Sequence, residues 1–203
     1  MATSAASIAV VPGGGENVNS VLFALERIGA RPVLTLDAKA IASAERVILM
    51  GVGAAPPAMA KLRTNGLVDC LRQLKQPVLG VCVGMQLLFE RSAEGDVECL
   101  GILDGCIQRF PDDVGIAVPH KGWNSLRALR PENPLVSGMR DGDCVYYMNG
   151  YYAPISSLTI GASDHGVPIS AMVSDRNFFG CQFHPERSGD IGELILKNFL
   201  SIA

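Results

Sequence analysis

The sequence predicts an α/β protein: a central, mostly parallel sheet with antiparallel additions, flanked by helices. Three observations carry this. Up to Phe89, short β-branched runs alternate with helical patterns across short glycine-rich joints, as in a parallel sheet built from crossover units. Beyond Leu100, strand-like segments follow one another with almost no helix until the C-terminus, which suits antiparallel extension of the sheet. A chain of 203 residues with 48% hydrophobic and 18% charged content is long and apolar enough for one well-buried core, so residues 1–203 read as a single domain.

Taken in order, residues 8–11 form a β-branched strand entering Pro12-Gly13-Gly14-Gly15-Glu16-Asn17. Residues 18–28 follow as a helix with Val21, Leu22, Leu25 and Ile28 on one face, stopped by Gly29. Residues 31–36 are the second strand, closed by Asp37, and 47–50 the third, running into Gly51-Val52-Gly53. One helix is expected over 59–74. Residues 77–81 are a buried strand, and the pattern of Leu87, Leu88 and Phe89 reads as helical. The later strands are expected at 100–110, 115–118, 144–148, 158–162, 169–173 and 178–183, with a closing helix over 193–202.

Several function classes are excluded early. The net charge of −3 and the lack of a Lys/Arg-rich block give no footprint for nucleic acid. The six cysteines show no Cys-x-x-Cys pair and no zinc-ligand spacing, so all but one read as reduced packing residues of a cytoplasmic chain. No targeting segment or membrane-length apolar run is seen. The loop after the first strand has Gly13 and Gly15 of a dinucleotide fingerprint, and Asp37 stands as the ribose acid. Val18 replaces the third glycine, which lets helix and strand pack closely, and so argues against a dinucleotide site.

The chemistry concentrates in two places. Gly80-Val81-Cys82-Val83-Gly84 has the Gly-x-Cys-x-Gly form of a nucleophile elbow, a sharp strand-to-helix turn in which both glycines avoid Cβ clashes. Cys82 would there face the N–H groups and dipole of a helix start, which favour a thiolate. A hundred residues on, a strand ends in His184-Pro185-Glu186. In extended backbone, residues i and i+2 face the same way, so His184 can take the Cys82 proton while Glu186 orients the imidazole. Metal binding is the competing reading of this pair, but the Pro-Cys-x-x-Cys that a zinc-deaminase site needs is absent. No metal or cofactor is expected.

These residues resemble the class I (triad) glutamine amidotransferases. Further stretches are similar to the glutaminase subunits of imidazole glycerol phosphate synthase: Val118-Pro119-His120-Lys121-Gly122-Trp123-Asn124, Phe183 through Gly189, and Ile48-Leu49-Met50-Gly51-Val52-Gly53. The resemblance spans nearly the whole chain. It implies the family's flavodoxin-like fold and hydrolysis of L-glutamine through a γ-glutamyl thioester on Cys82, with His184 and Glu186 completing the triad. The oxyanion hole would come from the Val83 amide and an amide of the loop, Val52 or Gly53. Gly51, Gln86 and Glu94 would contact the glutamine, Glu94 at its ammonium group. Ammonia would pass to a (β/α)₈-barrel cyclase subunit that makes imidazole glycerol phosphate and AICAR, across an interface holding Asn17, Lys121, Trp123 and Arg187.

The chain departs from the family pattern at Glu16, where a glycine is usual, at Met50 in place of proline, at Lys121 in place of methionine, and at Asn149-Gly150 in place of His-Ser. These positions surround the loop and interface through which a partner would control the glutaminase. Two other readings compete: a glutaminase serving a different acceptor, as in pyridoxal phosphate synthesis, and a non-catalytic binding homologue.

Overall fold

Burial sorts the chain into a spine of apolar strands and a set of half-buried helices. The computed structural model describes residues 7–14, 18–112 and 115–203. The chain runs through β1 (Ser7–Gly14), α1 (Asn19–Arg27), β2 (Arg31–Leu34), α2 (Ala38–Ser43) and β3 (Arg46–Gly51). α3 (Ala55–Thr64), α4 (Val68–Arg72), β4 (Val78–Cys82) and the four-residue α5 (Val83–Gln86) follow. Next come β5 (Phe89–Ser92), β6 (Val97–Glu98), β7 (Leu103–Arg109), β8 (His120–Ser125) and β9 (Arg127–Ala128). The last elements are β10 (Cys144–Asn149), β11 (Tyr151–Tyr152), β12 (Thr159–Asp164), β13 (Pro168–Asp175), β14 (Phe178–Cys181) and α6 (Gly189–Ser201).

Eight strands form the main sheet in the order β2-β1-β3-β4-β14-β13-β12-β9. Pairing is parallel from β2 through β14 and antiparallel beyond it, the mixed sheet expected from the sequence. β1, β3 and β4 are buried on both faces, which is why they read as unbroken apolar runs rather than alternating ones. α1 packs beside β2 and buries Val21, Ala24 and Leu25 in the core, while α2 starts where the Asp37 carboxylate accepts the Lys39 N–H at 3.1 Å. Two smaller sheets stand beside the main one: an antiparallel β8–β10 ribbon, and β11-β7-β5-β6. Among the described residues no helix is long and apolar enough to cross a membrane.

Some boundaries differ from the sequence expectation. The helix expected over 59–74 is two, broken at Asn65-Gly66, where Gly66 takes φ +65°. The elbow helix stops at Gln86, and Leu87, Leu88 and Phe89 are buried residues leading into β5. A short apolar run fits a buried strand entry as well as a helix face, and tertiary packing settles it. No strand covers 115–118; the strand of this region begins at His120 and pairs with β10. The 178–183 strand ends at Cys181, and the 100–110 strand begins at Leu103. α2, β5, β6, β8, β9 and β11 have no counterpart in the sequence reading, being short and poorly patterned.

The long helix α6 fixes the segment after β14. A Cβ on Gly192 would overlap the Pro185 carbonyl, so only glycine lets α6 pack on the 3₁₀ turn Pro185–Arg187. Gly192→Ala should therefore lower stability by about 2 kcal/mol through overpacking, read from urea denaturation, and should displace that turn.

Candidate active site

Cys82 ends β4 with φ +54° and ψ −116°, a left-handed backbone that a non-glycine residue adopts only when its surroundings impose it. Two glycines impose it. A Cβ on Gly84 would fall on the Leu49 carbonyl, and one on Gly80 would lie 2.7 Å from Gly84 O and from Met85 Cα and N. α5 can thus fold tightly back over β3 and β4, and Cys82 projects from the bend. Gly51 belongs to the same contact: it pairs with Cys82 in register, and a Cβ there would lie 2.6 Å from the Gly84 nitrogen. α5 is a single turn, so it sums few peptide dipoles, and stabilisation of a thiolate falls mainly to neighbouring side chains.

Those neighbours come from the parallel pairing of β14 with β4, whose register ends at Cys181 opposite Val81. Past that point the chain delivers His184 and Glu186. His184 Nδ1 lies 2.8 Å from Glu186 Oε1, with the two side chains only 7% and 1% exposed. The carboxylate accepts the Nδ1 proton, which leaves Nε2 for the sulfur. Burial by itself would lower the imidazole pKa, but hydrogen bonding to Cys82 and Glu186, reinforced by their charges, carries it up to about 10. The turn is locked from behind: the His184 N–H donates to Tyr146 O at 2.9 Å, and the Ser188 hydroxyl donates to His184 O at 2.6 Å. Glu186 Oε2 is buried without a protein partner.

Cys82 stands between two cavities. The smaller, about 50 Å³, is bordered by Gly53, Cys82, Val83, Gln86, Glu94, Asn149 and Tyr151. The larger, about 480 Å³, opens past Val52, Gly53, Pro119, Met148, His184, Glu186 and Arg187. Gln86 commits its amide nitrogen to Tyr151 O and Gln182 Oε1, both at 3.0 Å, so toward a ligand it presents its oxygen. Glu94 accepts the Ala55 N–H at 2.8 Å, capping α3, and borders the small cavity. Asn149 donates to Tyr151 O at 2.9 Å and leaves Oδ1 buried and unpartnered in the same wall. Asn149 reads in the sequence as a departure near the interface; its orphaned acceptor makes it a candidate ligand contact that only side-chain packing exposes.

In the loop after β3, one candidate donor is already engaged. The Val52 N–H donates to the Gly14 carbonyl at 3.3 Å, so Val52 can serve an oxyanion hole only after its peptide turns. Gly53 follows with φ +95°. Val83 is the first residue of α5, at the bend itself. Met50 is fully buried inside β3, paired with Val81, as the strand over 47–50 anticipated.

Two of the residues expected at an interface lie on the exposed side of the β8–β10 ribbon. Lys121 and Trp123 are exposed, Trp123 by 60%, opposite Met148 and Tyr146. Trp123 meets Tyr146 edge-on with ring centroids 6.0 Å apart. The same ribbon turns the Met148 carbonyl inward to 4.0 Å from Cys82 Sγ, so the exposed patch and the thiol share one element. His120 anchors the ribbon from within, stacked on Tyr147 and His165 at 4.3 and 4.0 Å, and burial together with His165 pushes its pKa down to about 4. Arg187 is exposed at the mouth of the larger cavity. Asn17 and Glu16 lie outside the described residues.

A buried thiol on a strained elbow, faced by a histidine that a carboxylate orients, is the arrangement of a triad amidotransferase. The family model described as glutamine amidotransferase class-I matches residues 23–203, and the chain belongs to that family. Within it, the imidazole glycerol phosphate synthase subunit HisH of Xanthomonas euvesicatoria pv. vesicatoria is 49% identical over 196 residues, 97% of this chain and 98% of the relative. The protein of the same name from Xylella fastidiosa strain Temecula1 is 46% identical over 195 residues, 96% and 97% of the two chains. A chain of the Thermotoga maritima PurLQS structure shares the fold with a TM-score of 0.71 at 20% identity, covering 97% of this chain and 98% of its own.

The raised imidazole pKa has a consequence for stability. With a value of about 10 in the folded chain against 6.5 for an unperturbed histidine, the native state holds the extra proton between those values. Its contribution is complete below about pH 6.5 and is lost as pH rises through about 10. The urea midpoint of the wild type relative to His184→Gln should therefore fall steadily from pH 7 to pH 10.

Proposed function

We propose that this chain is the glutaminase subunit of an imidazole glycerol phosphate synthase, working as one unit in the cytoplasm and passing ammonia to a (β/α)₈-barrel cyclase in histidine biosynthesis. The observation that carries the reading is the Cys82–His184–Glu186 constellation in a chain about half identical, end to end, to curated HisH subunits.

In this reading glutamine occupies the small cavity, its ammonium near Glu94 and its side-chain amide at Cys82. The thiolate attacks the amide carbon, and the oxygen takes the electron pair. Donors for that oxygen are the Val83 N–H and, once its peptide turns, Val52 or Gly53. His184 gives its proton to the leaving nitrogen, so ammonia departs and a thioester remains. His184, now neutral, takes a proton from water, which attacks the thioester and releases glutamate and the thiolate. Glu186 holds the imidazole tautomer and offsets its charge. The larger cavity, reaching from the sulfur toward the Trp123–Arg187 face, gives ammonia a way out toward the partner.

Cys82→Ala should lower glutamine hydrolysis by at least about 10³-fold with the fold retained, and His184→Ala nearly as much, because members of such a set act as a unit. Glu186→Gln should cost less. Co-purification with a candidate cyclase, followed by paired assay of glutamate and imidazole glycerol phosphate, is the central test. A Cys82→Ala complex should still make product from ammonium salt at raised pH but not from glutamine. Trp123→Ala or Arg187→Ala should lower the ratio of product to glutamate before hydrolysis fails. No product with any cyclase, alongside normal hydrolysis, would assign the chain to another ammonia acceptor, and failure of Cys82 to react with diazo-oxo-norleucine would mark a non-catalytic homologue.

The isolated chain should hydrolyse glutamine slowly and speed up with cyclase and its ligand. The engaged Val52 N–H is the physical basis: a partner accelerates only by favouring the state with that donor free. High hydrolysis by the isolated chain, unchanged by cyclase, would remove this account.

A further inference from the structure

One buried amide beside the thiol takes no part in the steps above. Gln182 is the residue after β14, and the β4–β14 register sets it next to Cys82. Its side chain is completely buried, 0% exposed. An amide so placed needs protein partners at both ends. It has them: Oε1 accepts from Gln86 Nε2 at 3.0 Å, and Nε2 points at Cys82 Sγ from 4.0 Å.

The direction of this amide is fixed by its neighbours. Gln86 also contacts the Tyr151 carbonyl at 3.0 Å, and a carbonyl can only accept. The Gln86 atom making both contacts is therefore its nitrogen, so the Gln182 atom opposite it must be the oxygen. That leaves the Gln182 nitrogen, and its N–H, for the sulfur. Cys82 and Gln86 are four residues apart across the turn of α5, which brings both ends of the relay to one side of the elbow.

The remaining surroundings of Sγ make a donor matter. The Met148 carbonyl, also at 4.0 Å, is an acceptor that suits a thiol and opposes a thiolate. The titratable groups nearby are His184 and Glu186 from the turn after β14, the fully buried Cys181 of β14, Glu94 and Tyr151 across the small cavity, and Arg187 at the larger one. Among the described residues, Gln182 is the side-chain donor besides His184 that reaches the sulfur.

We propose that Gln182 is a positioning residue for the nucleophile, donating its N–H to the Cys82 thiolate while Gln86 locks the amide in that orientation. Gln86 thereby acts on the sulfur as well as lining the glutamine cavity. The proposal rests on the reading of Cys82 as the nucleophile, but it concerns the ionisation of the thiol and can be tested without glutamine.

The test is the pH dependence of Cys82 alkylation by iodoacetamide, followed by mass spectrometry of the Cys82 peptide in the full-length chain. Exposed Cys106 and Cys144 in the same samples are reference thiols, and the buried Cys181 reports folding by staying unlabelled. Gln182→Met keeps the volume and removes the donor. It should move the Cys82 profile to higher pH by about one unit, slowing alkylation about tenfold on the rising limb of the profile, the worth of one such hydrogen bond, while leaving the high-pH plateau and the reference thiols unchanged. Should Gln182→Met label Cys181, Gln182→Asn, which is polar but too short to reach the sulfur, carries the same comparison. A folded variant with the wild-type profile overturns the proposal. A shifted profile in a chain that never hydrolyses glutamine would leave it standing and remove the enzymatic reading alone.

Discussion

The parallel contact between β4 and β14 holds the site together, because it brings residues a hundred positions apart to one end of the sheet. Its register runs from Phe178 opposite Val78 to Cys181 opposite Val81, and each strand then leaves the sheet at the same level. One exit is the elbow at Cys82; the other is the segment through Gln182 to Glu186. Ligand sites on parallel sheets lie at the carboxyl ends of strands for this reason: the ladder fixes the strands, and the chain beyond them is free to carry chemistry. Here the freedom is then removed by close packing, with Gly84 against the Leu49 carbonyl on one side and Gly192 against Pro185 on the other.

The electrostatics follow from that packing. A thiol in a dry site would remain neutral if burial alone decided. The same burial strengthens the attraction between sulfur and imidazole, and Glu186, nearly inaccessible to water, keeps the imidazole protonated. Sulfur, imidazole and carboxylate thus form one buried, mutually supporting set with only a one-turn helix behind it. The loop after β3 is held separately: the Val52 N–H donates to the Gly14 carbonyl, a contact independent of the packing that sets the thiol and imidazole.

The β8–β10 ribbon connects this chemistry to the outside. Its outer side shows Trp123, Lys121 and Met148, while its backbone accepts the His184 N–H at Tyr146 and approaches the sulfur at Met148. A partner seated on the ribbon would press on the groups that surround the thiol. Lys121 and Asn149 depart from the family pattern on this element, Lys121 at the exposed surface and Asn149 in the wall of the small cavity beside Cys82.

The α/β class, the strand–elbow–helix around Cys82 and the pairing of His184 with Glu186 were legible in the order of the residues, because each depends on local rules: apolar runs, glycines at a bend and the two-residue repeat of extended backbone. The helix expected over 59–74 breaks at Asn65-Gly66, a Gly-containing turn that apolar periodicity alone does not register, and a three-residue apolar run such as 87–89 suits strand entry as well as helix. Tertiary structure alone decided what depends on contacts distant in the chain. It set the register that puts Gln182 beside Cys82, turned the Val52 N–H to Gly14 and left Asn149 with an unpartnered oxygen. Hydrogen-bond direction and burial are properties of neighbours brought together by folding, and no periodicity in a single chain encodes them.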